Sequence, residues 1–410
     1  KVYALGFSSQ VSTDGGKTWK NMDKNNVHAD HHALWINPTK DNHLINGNDG
    51  GVNITYDNGD VWFKANTPSV GQYYAIAVDN AKPYNVYGGF QDNGVWYLPS
   101  QNPRNSFANS GLGLSDDAVK NIGGGDGMQV QVDLRDNLTT YYGSQFGNYS
   151  RTNRTTKEGT KRITPRHELG EKPLRFNWQS PIVLSAHNND ILYFGSNKLH
   201  RSFNQGDTMI ALTADLTKGD GNGNVPYGTL TAISESPLRF GLLYTGTDDG
   251  NIHVSKDAGA TWTALHEPKK KGFNLPQKLW VSRLTASKHK EPRVYLSLNG
   301  YRNDDFSPYL YVSDDYGSSW NAIGKNLPAE PINVVKEDPK NENIIYVGTD
   351  GGLYVSVDKG NSFMMWTAGL PRSVPIHDIV IHERENEIVL GTHGRSIYIA
   401  RLDDVQKGAK

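Results

Sequence analysis

Cysteine is absent from this chain of 410 residues, which excludes a disulfide framework, a thiolate-ligated zinc site and a thiol nucleophile. No run approaches the ~18 apolar residues that a membrane-spanning helix needs. Charge of one sign is lacking too. The 42 basic and 43 acidic residues leave a net charge of −1, so nothing global favours nucleic acid or an anionic membrane. Helical periodicity is nowhere sustained. The chain opens at Lys1-Val2-Tyr3 with neither a basic n-region nor an apolar h-region, so any signal peptide is expected to have been removed already. What the chain has in excess is glycine, 43 residues, above the ~7% of ordinary proteins. Proline, at 19, is ordinary, so the glycine reads as turn chemistry.

An internal repeat organises the sequence. Three segments read Ser-x-Asp-x-Gly-x-(Ser/Thr)-Trp: Ser12 to Trp19, Ser255 to Trp262 and Ser313 to Trp320. Thr55 to Trp62 and Ser356 to Phe363 are near matches, and Ser202 to Met209 is a decayed copy. The Asp-equivalent positions 14, 57, 204, 257, 315 and 358 are separated by 43, 147, 53, 58 and 43 residues. Because 147 is three times 49, two further units without the motif are expected in the long gap, with strands near Gln72–Asn80, Asn85–Phe90 and Val95–Leu98, then Met128–Asp133, Thr139–Ser144 and Asn148–Thr152. Each unit shows a strand ending in His or Asp, an aromatic and β-branched strand ending in Gly (LYFG, LYTG, IYVG), a third strand into the Asp-x-Gly turn, and a fourth at the Trp.

Four short strands per ~45 residues, repeated, predict an all-β fold of the β-propeller type. Seven complete blades fit between Asp30 and Trp366, with partial blades over residues 1–24 and 376–402 and a tail over 403–410. The expected organisation is one propeller assembly over residues 1–402, with polar insertions at 101–121 and 152–177. Its Asp turns have a structural role. Asp14, Asp57, Asp257, Asp315 and Asp358 can accept hydrogen bonds from their own turn, while Trp19, Trp62, Trp262 and Trp320 are expected to pack between blades. The repeated Gly-x-Asp turns carrying Asp49, Asp248 and Asp350 read as framework for the same reason.

These turns resemble the Asp-box, or BNR repeat, of sialidases, xyloglucanase-type glycoside hydrolases and the Vps10 domain of sortilin. Longer stretches, including HADHHALWINP, VYGGFQDNGVW, RFNWQSPIVLS and IHDIVIHERENEIVLGTHGRSIYI, resemble a bacterial family labelled "glycosyl hydrolase, BNR repeat" or sortilin-like. That resemblance runs over essentially the whole chain. It implies an exported protein, secreted, periplasmic or at the cell surface, in a ring like the ten-bladed Vps10 propeller. By the same resemblance further blades precede Lys1, and the chain is the C-terminal part of a larger product. It also implies a glycan or polypeptide ligand in the central channel, with a glycoside hydrolase and a surface or secretion-associated scaffold as alternatives. No arginine triad of the sialidase kind stands out.

The non-repeated polar groups supply the candidate sites. His28-x-Asp30-His31-His32 offers nitrogen and oxygen ligands or acid/base groups, although His31 and His32 are adjacent and would face opposite ways on a strand. Gln91-Asp92-Asn93 breaks the Gly-x-Asp turn pattern. Asp126 follows a Gly-rich loop that precedes a strand and therefore is no phosphate loop. Tyr301-Arg302-Asn303-Asp304-Asp305 is an insertion whose two carboxylates could hold a structural Ca²⁺. No other cofactor is implied. Asp30, Asp92, Asp126, Asp304 and Asp305 are thus the candidate catalytic carboxylates. His28, His31, His32, Gln91, Asn93, Tyr149, Arg283 and Asn303 are the candidate ligand contacts.

Overall fold

The computed structural model describes residues 1–24, 27–65, 70–101, 119–156, 159–219, 227–266 and 275–409. Its strands form nine antiparallel sheets, seven of four strands and two of three. The three-stranded ones hold residues 2–21 and 376–401, matching the partial blades expected at the two ends.

The chain divides into two compact units. One contains a three-stranded sheet (Val2–Ala4, Gln10–Ser12, Lys20–Asn21) and a four-stranded sheet (His31–Ile36, Leu44–Asn48, Gly51–Thr55, Phe63–Ala65). The other begins at Gly71 and holds seven sheets whose inner strands are Tyr73–Val78, Val130–Val132, Ile182–Leu184, Leu230–Glu235, Trp280–Ala286, Ile332–Glu337 and Ile376–His382. We number these blades 1 to 7. Each inner strand packs on the next, and that of blade 7 returns to blade 1. The Ile76 N–H donates to Asp378 Oδ2 at 3.0 Å, the Tyr84 hydroxyl donates to Glu387 at 2.7 Å, and Gln72 bridges to His393. Val389 of blade 7 joins Tyr73, Ile76 and Val86 of blade 1 in one apolar cluster. Six complete blades and the trailing partial one therefore close into a seven-bladed ring, which leaves no gap for the further sheets of a ten-bladed one.

Part of the glycine excess follows from this closure. The second strand of a blade runs against the next blade's inner strand, and a side chain on Gly246 would stand 2.3 Å from Val281 Cγ1. On Gly391 it would meet Ile76 at 2.9 Å. Glycine there lets neighbouring blades touch through backbone.

The Asp turns share one plan. In blade 5, Ser313 Oγ donates to Asp315 Oδ1 at 2.8 Å and accepts from the Gly317 N–H at 2.8 Å, while Asp315 accepts from the Ser319 N–H and hydroxyl. Blade 4 repeats this with Ser255, Asp257 and Thr261, and blade 6 with Ser356, Asp358 and Ser362. In the decayed copy Asn204 accepts from the Ser202 hydroxyl and the Thr208 N–H, and its amide donates to the Thr208 hydroxyl in place of accepting from it. In the N-terminal unit, Asp14 and Asp57 accept from Ser12, Thr18, Thr55 and Val61 in the same way. Trp262 packs on the blade 3 cluster, Trp320 on the cluster joining blades 4 and 5, and Trp62 is buried beside Met22. Trp19 departs from the expectation: it is 43% exposed, its indole donating to Gly16 O.

The insertion expected at 101–121 lies, but for its ends, outside the described residues. That at 152–177 is partly blade, because Lys161–Arg162 pairs with Ser150 and Arg151 as the outer strand of blade 2. The tail is a short helix, Asp403–Gly408, anchored by Gln406 donating to Asp338 and Asn386. Among the described residues no helix is long and apolar enough to cross a membrane.

Candidate functional site

An antiparallel blade brings the start of its inner strand and the turn after its second strand to one end of the ring, and the Asp turn to the other. The first end surrounds a cavity of about 630 Å³. Its wall takes Tyr74 and Gln91 from blade 1, Trp178 and Gln179 ahead of blade 3, Tyr227 ahead of blade 4, and Trp280, Arg283, Asn299, Tyr301 and Arg302 from blade 5. Asn333 and Asp350 of blade 6 and His377 and His393 of blade 7 complete it.

These side chains are held by one another. The Tyr74 hydroxyl donates to Gln91 Oε1 and accepts from Trp178 Nε1 at 3.1 Å. Arg302 is sandwiched, its guanidinium 4.1 Å from the Trp280 ring centre and 4.5 Å from that of Tyr301, a cation–π arrangement that fixes both platforms. Asn333 donates to Asp350 Oδ1 at 2.8 Å. His377 and His393 stack with centroids 4.3 Å apart. Burial pushes the His377 imidazole down to about 3, helped by His393 and Arg283, and burial lowers His393 as well. Both rings are therefore neutral at physiological pH, and offer a flat polarisable wall.

Below this cavity lies a second of about 300 Å³. Gln129, Thr231 and Arg283 line both and form a waist in the channel. Arg283 makes the waist by crossing from blade 5 to blade 7, where its Nη2 donates to Asp378 Oδ1 at 3.0 Å.

The candidates named from sequence divide accordingly. Arg283 and Gln91 line the upper cavity. Asn93 stabilises the Gln91 turn through a bond to Gln91 O at 2.9 Å. Asp126 is 8% exposed and tied down, accepting from the Asp92 N–H at 2.8 Å and from Gln145 Nε2 at 2.6 Å, so it braces the rim. Asp305 accepts from the Tyr309 hydroxyl and the Ser307 N–H, which hold its carboxyl below the usual range. Asp304 and Asn303 are exposed on that loop and outside the cavity lining. Among the described residues no group of three or more His, Asp or Glu is placed to hold a metal, so Asp304 and Asp305 have no third carboxylate or imidazole beside them.

Tyr149 requires correction. It is fully buried, donating to Ser180 O at 2.8 Å, and serves packing and not a ligand. In the N-terminal unit His31 points inward, 2.9 Å from Asn46 Oδ1 and 3.1 Å from Asp23 Oδ1, while His32 points outward to Asp49 at 2.7 Å. His28 meets Ala29 O, and Asp30 has a left-handed backbone whose N–H donates to Phe7 O. These four do not converge on one point.

Sequence reasoning passed over the aromatic platforms, the histidine stack and Asp350. The tripeptide that carries Asp350 also carries Asp248, yet Asp248 is buried and accepts from Tyr227 N–H and from the N–H and hydroxyl of Thr229.

No known family's sequence model matches the chain. Over 157 residues, 35% of this chain and 18% of the relative, it is 28% identical to a xyloglucanase of Hypocrea jecorina. Over 126 residues, 29% of this chain and 15% of the relative, it is 29% identical to an oligoxyloglucan-reducing end-specific xyloglucanase of Emericella nidulans. A solved GH74 xyloglucanase of Xanthomonas campestris aligns with a TM-score of 0.58 at 17% identity, covering 83% of this chain and 53% of that one. The propeller fold is shared. The match spans less than a fifth of either curated relative and about half of the solved structure.

Proposed function

We propose that the protein is a glycan-processing propeller of the glycoside-hydrolase kind, and that the upper cavity of the ring holds part of its polysaccharide. The lining carries this reading. Trp178, Tyr227, Trp280 and Tyr301 offer ring faces, and Gln179, Asn299 and Asn333 offer amides. A sugar ring has an apolar C–H face and a girdle of hydroxyls, and this wall supplies a partner for each. The likeness to xyloglucanases favours hydrolysis over passive recognition, and makes a branched β-glucan the first substrate to test. A polymeric substrate agrees with an extracytoplasmic location, and the Ser-x-Asp-x-Gly turns agree with kinship to Asp-box propellers.

Hydrolysis needs two carboxylates flanking the bond, one as acid and one as base or nucleophile. Within the ring we assign Asp350, on the cavity wall, and Asp92, on the equivalent turn of blade 1, as the pair to test. Recognition without cleavage is the second reading. Asp350 is the one carboxylate among the upper cavity's lining residues, and Asn333 already engages it.

Affinity electrophoresis in xyloglucan, with reducing-end release measured on the same samples, separates these readings. Retardation plus reducing ends, with cleavage lost in Asp350→Asn but retardation kept, supports the hydrolase. Retardation alone supports recognition. Unretarded wild-type protein sinks both for this substrate class.

A further inference from the structure

The lower chamber has a charge pattern that the upper cavity does not share. Six charged side chains line it: Arg283, Lys288 and Lys336 as cations and Glu235, Glu337 and Asp378 as anions. Two of the cations are answered. Arg283 pairs with Asp378 at 3.0 Å, and Lys288 pairs with Glu383 on the rim. Asp378 is further satisfied by the N–H groups of Ile76 and Ile379, each at 3.0 Å. All three carboxylates are buried in its wall, and Glu235 Oε2 has no hydrogen-bond partner among the described residues. Glu235 accepts from the Tyr193 hydroxyl, and Glu337 from Ser287, Tyr295 and the Lys288 N–H.

Lys336 is left over. It lines the chamber, half-buried, and its ammonium makes no hydrogen bond or ion pair among the described residues. Arg283 adds a second unanswered donor, because its Nε is buried without a partner. An enclosed cation beside two others is costly unless an anion joins it or the group gives up its proton. Burial, with Lys288 adding repulsion, lowers Lys336 to about 8, so at neutral pH it still carries most of its charge.

We propose that the lower chamber is a binding site for a small monovalent anion, a halide or a carboxylate of about acetate size, held by Lys336 with Arg283 at its roof. The site does not rest on the glycan reading, although the two cavities adjoin at Gln129, Thr231 and Arg283.

Thermal unfolding of the whole chain tests this. Sodium chloride and sodium acetate are titrated in separate arms at constant ionic strength, kept by a bulky sulfonate. Wild type should gain about 3 °C at saturation in at least one arm, and the responding arm identifies halide or carboxylate. Lys336→Met should gain nothing, yet start above wild type without added anion, because it has no enclosed charge to leave unanswered. Lys336→Arg should keep the response. Equal gains in wild type and Lys336→Met, or none in either, overturn the proposal. If Lys336→Met does not fold, anomalous scattering from wild-type crystals grown in bromide decides. A bromide peak beside Lys336 supports the site, and an empty chamber refutes it.

Discussion

At one end of the ring Ser255, Asp257 and Thr261 repeat, bond for bond, what Ser313, Asp315 and Ser319 do one blade later. At the other end no two blades present the same groups. Blade 5 offers Trp280 and a sandwiched Arg302, blade 6 Asn333 and Asp350, and blade 7 two stacked histidines. Both ends are made by hairpins of the same sheets. The difference is one of closure. The Asp turn satisfies its polar groups within about eight residues and needs nothing from outside, so it can be copied. At the cavity end the pairings lie mostly within one blade, as Asn333 with Asp350 and His377 with His393, but each blade uses different groups, so variation there changes the lining without disturbing the blade. On the proposed function, stability and ligand binding are thereby allotted to opposite ends of one scaffold.

Substitutions that touch one role and spare the other test this division most directly. Gly246→Ala should have the largest effect, destabilising by about 3 kcal/mol in chemical denaturation because its methyl group would collide with Val281 and wedge blades 4 and 5 apart. Sugar affinity per folded molecule should stay unchanged. A loss of affinity larger than the loss of folded protein would show that blade spacing and cavity shape are coupled, and would blur the two ends.

The legibility of these regions in the sequence follows from the same contrast. Ser313, Asp315 and Gly317 could be read as a turn because every partner lies within the segment, and spacing alone counted the sheets. Ring closure could not be read, because it rests on contacts such as Ile76 to Asp378, about three hundred residues apart. Asp350 was hidden by its own repeat. Whether an aspartate in Gly-Thr-Asp is buried or faces a cavity depends on the segment that precedes its inner strand. Asp248 has Tyr227 and Thr229 above it, whereas Asp350 has only the amide of Asn333. Tyr149 failed for the converse reason: an aromatic on a strand looks the same in the chain whichever way it points.

Trp280→Ala comes next in size. Removing one stacking face and freeing Arg302 should weaken glycan binding by about tenfold, roughly 1.4 kcal/mol, while stability changes by less. A variant that unfolds as readily as it loses binding would make Trp280 a packing residue, and the cavity end would then resemble the turn end. Ser313→Ala is the mirror image. It removes a buried hydroxyl that donates to Asp315 and accepts from Gly317, so stability should fall by about 1 kcal/mol with binding untouched.

The smallest effect expected is also the one that separates the two ends by pH. His377 at the cavity is held neutral down to about 3 in the folded chain, whereas in the unfolded chain a histidine takes up its proton near 6.5. Between those values the unfolded state binds a proton that the folded state refuses, so stability falls as pH drops below 6.5. The turn carboxylates act lower. Hydroxyl and backbone donors depress Asp14, Asp57, Asp257 and Asp358, so their contribution is complete above the unfolded value near 4 and is lost as pH falls toward the folded one. Acid unfolding should therefore show an upper limb from the cavity end, shared with buried His200 and His253, which burial lowers to about 4, and a steeper lower limb from the turns. His377→Gln should flatten the upper limb by about 0.8 kcal/mol at pH 6 and leave the lower one alone. An upper limb unchanged in that variant would mean that the histidine stack opens to solvent before the ring does, and the cavity wall would then be the first part of the scaffold to yield.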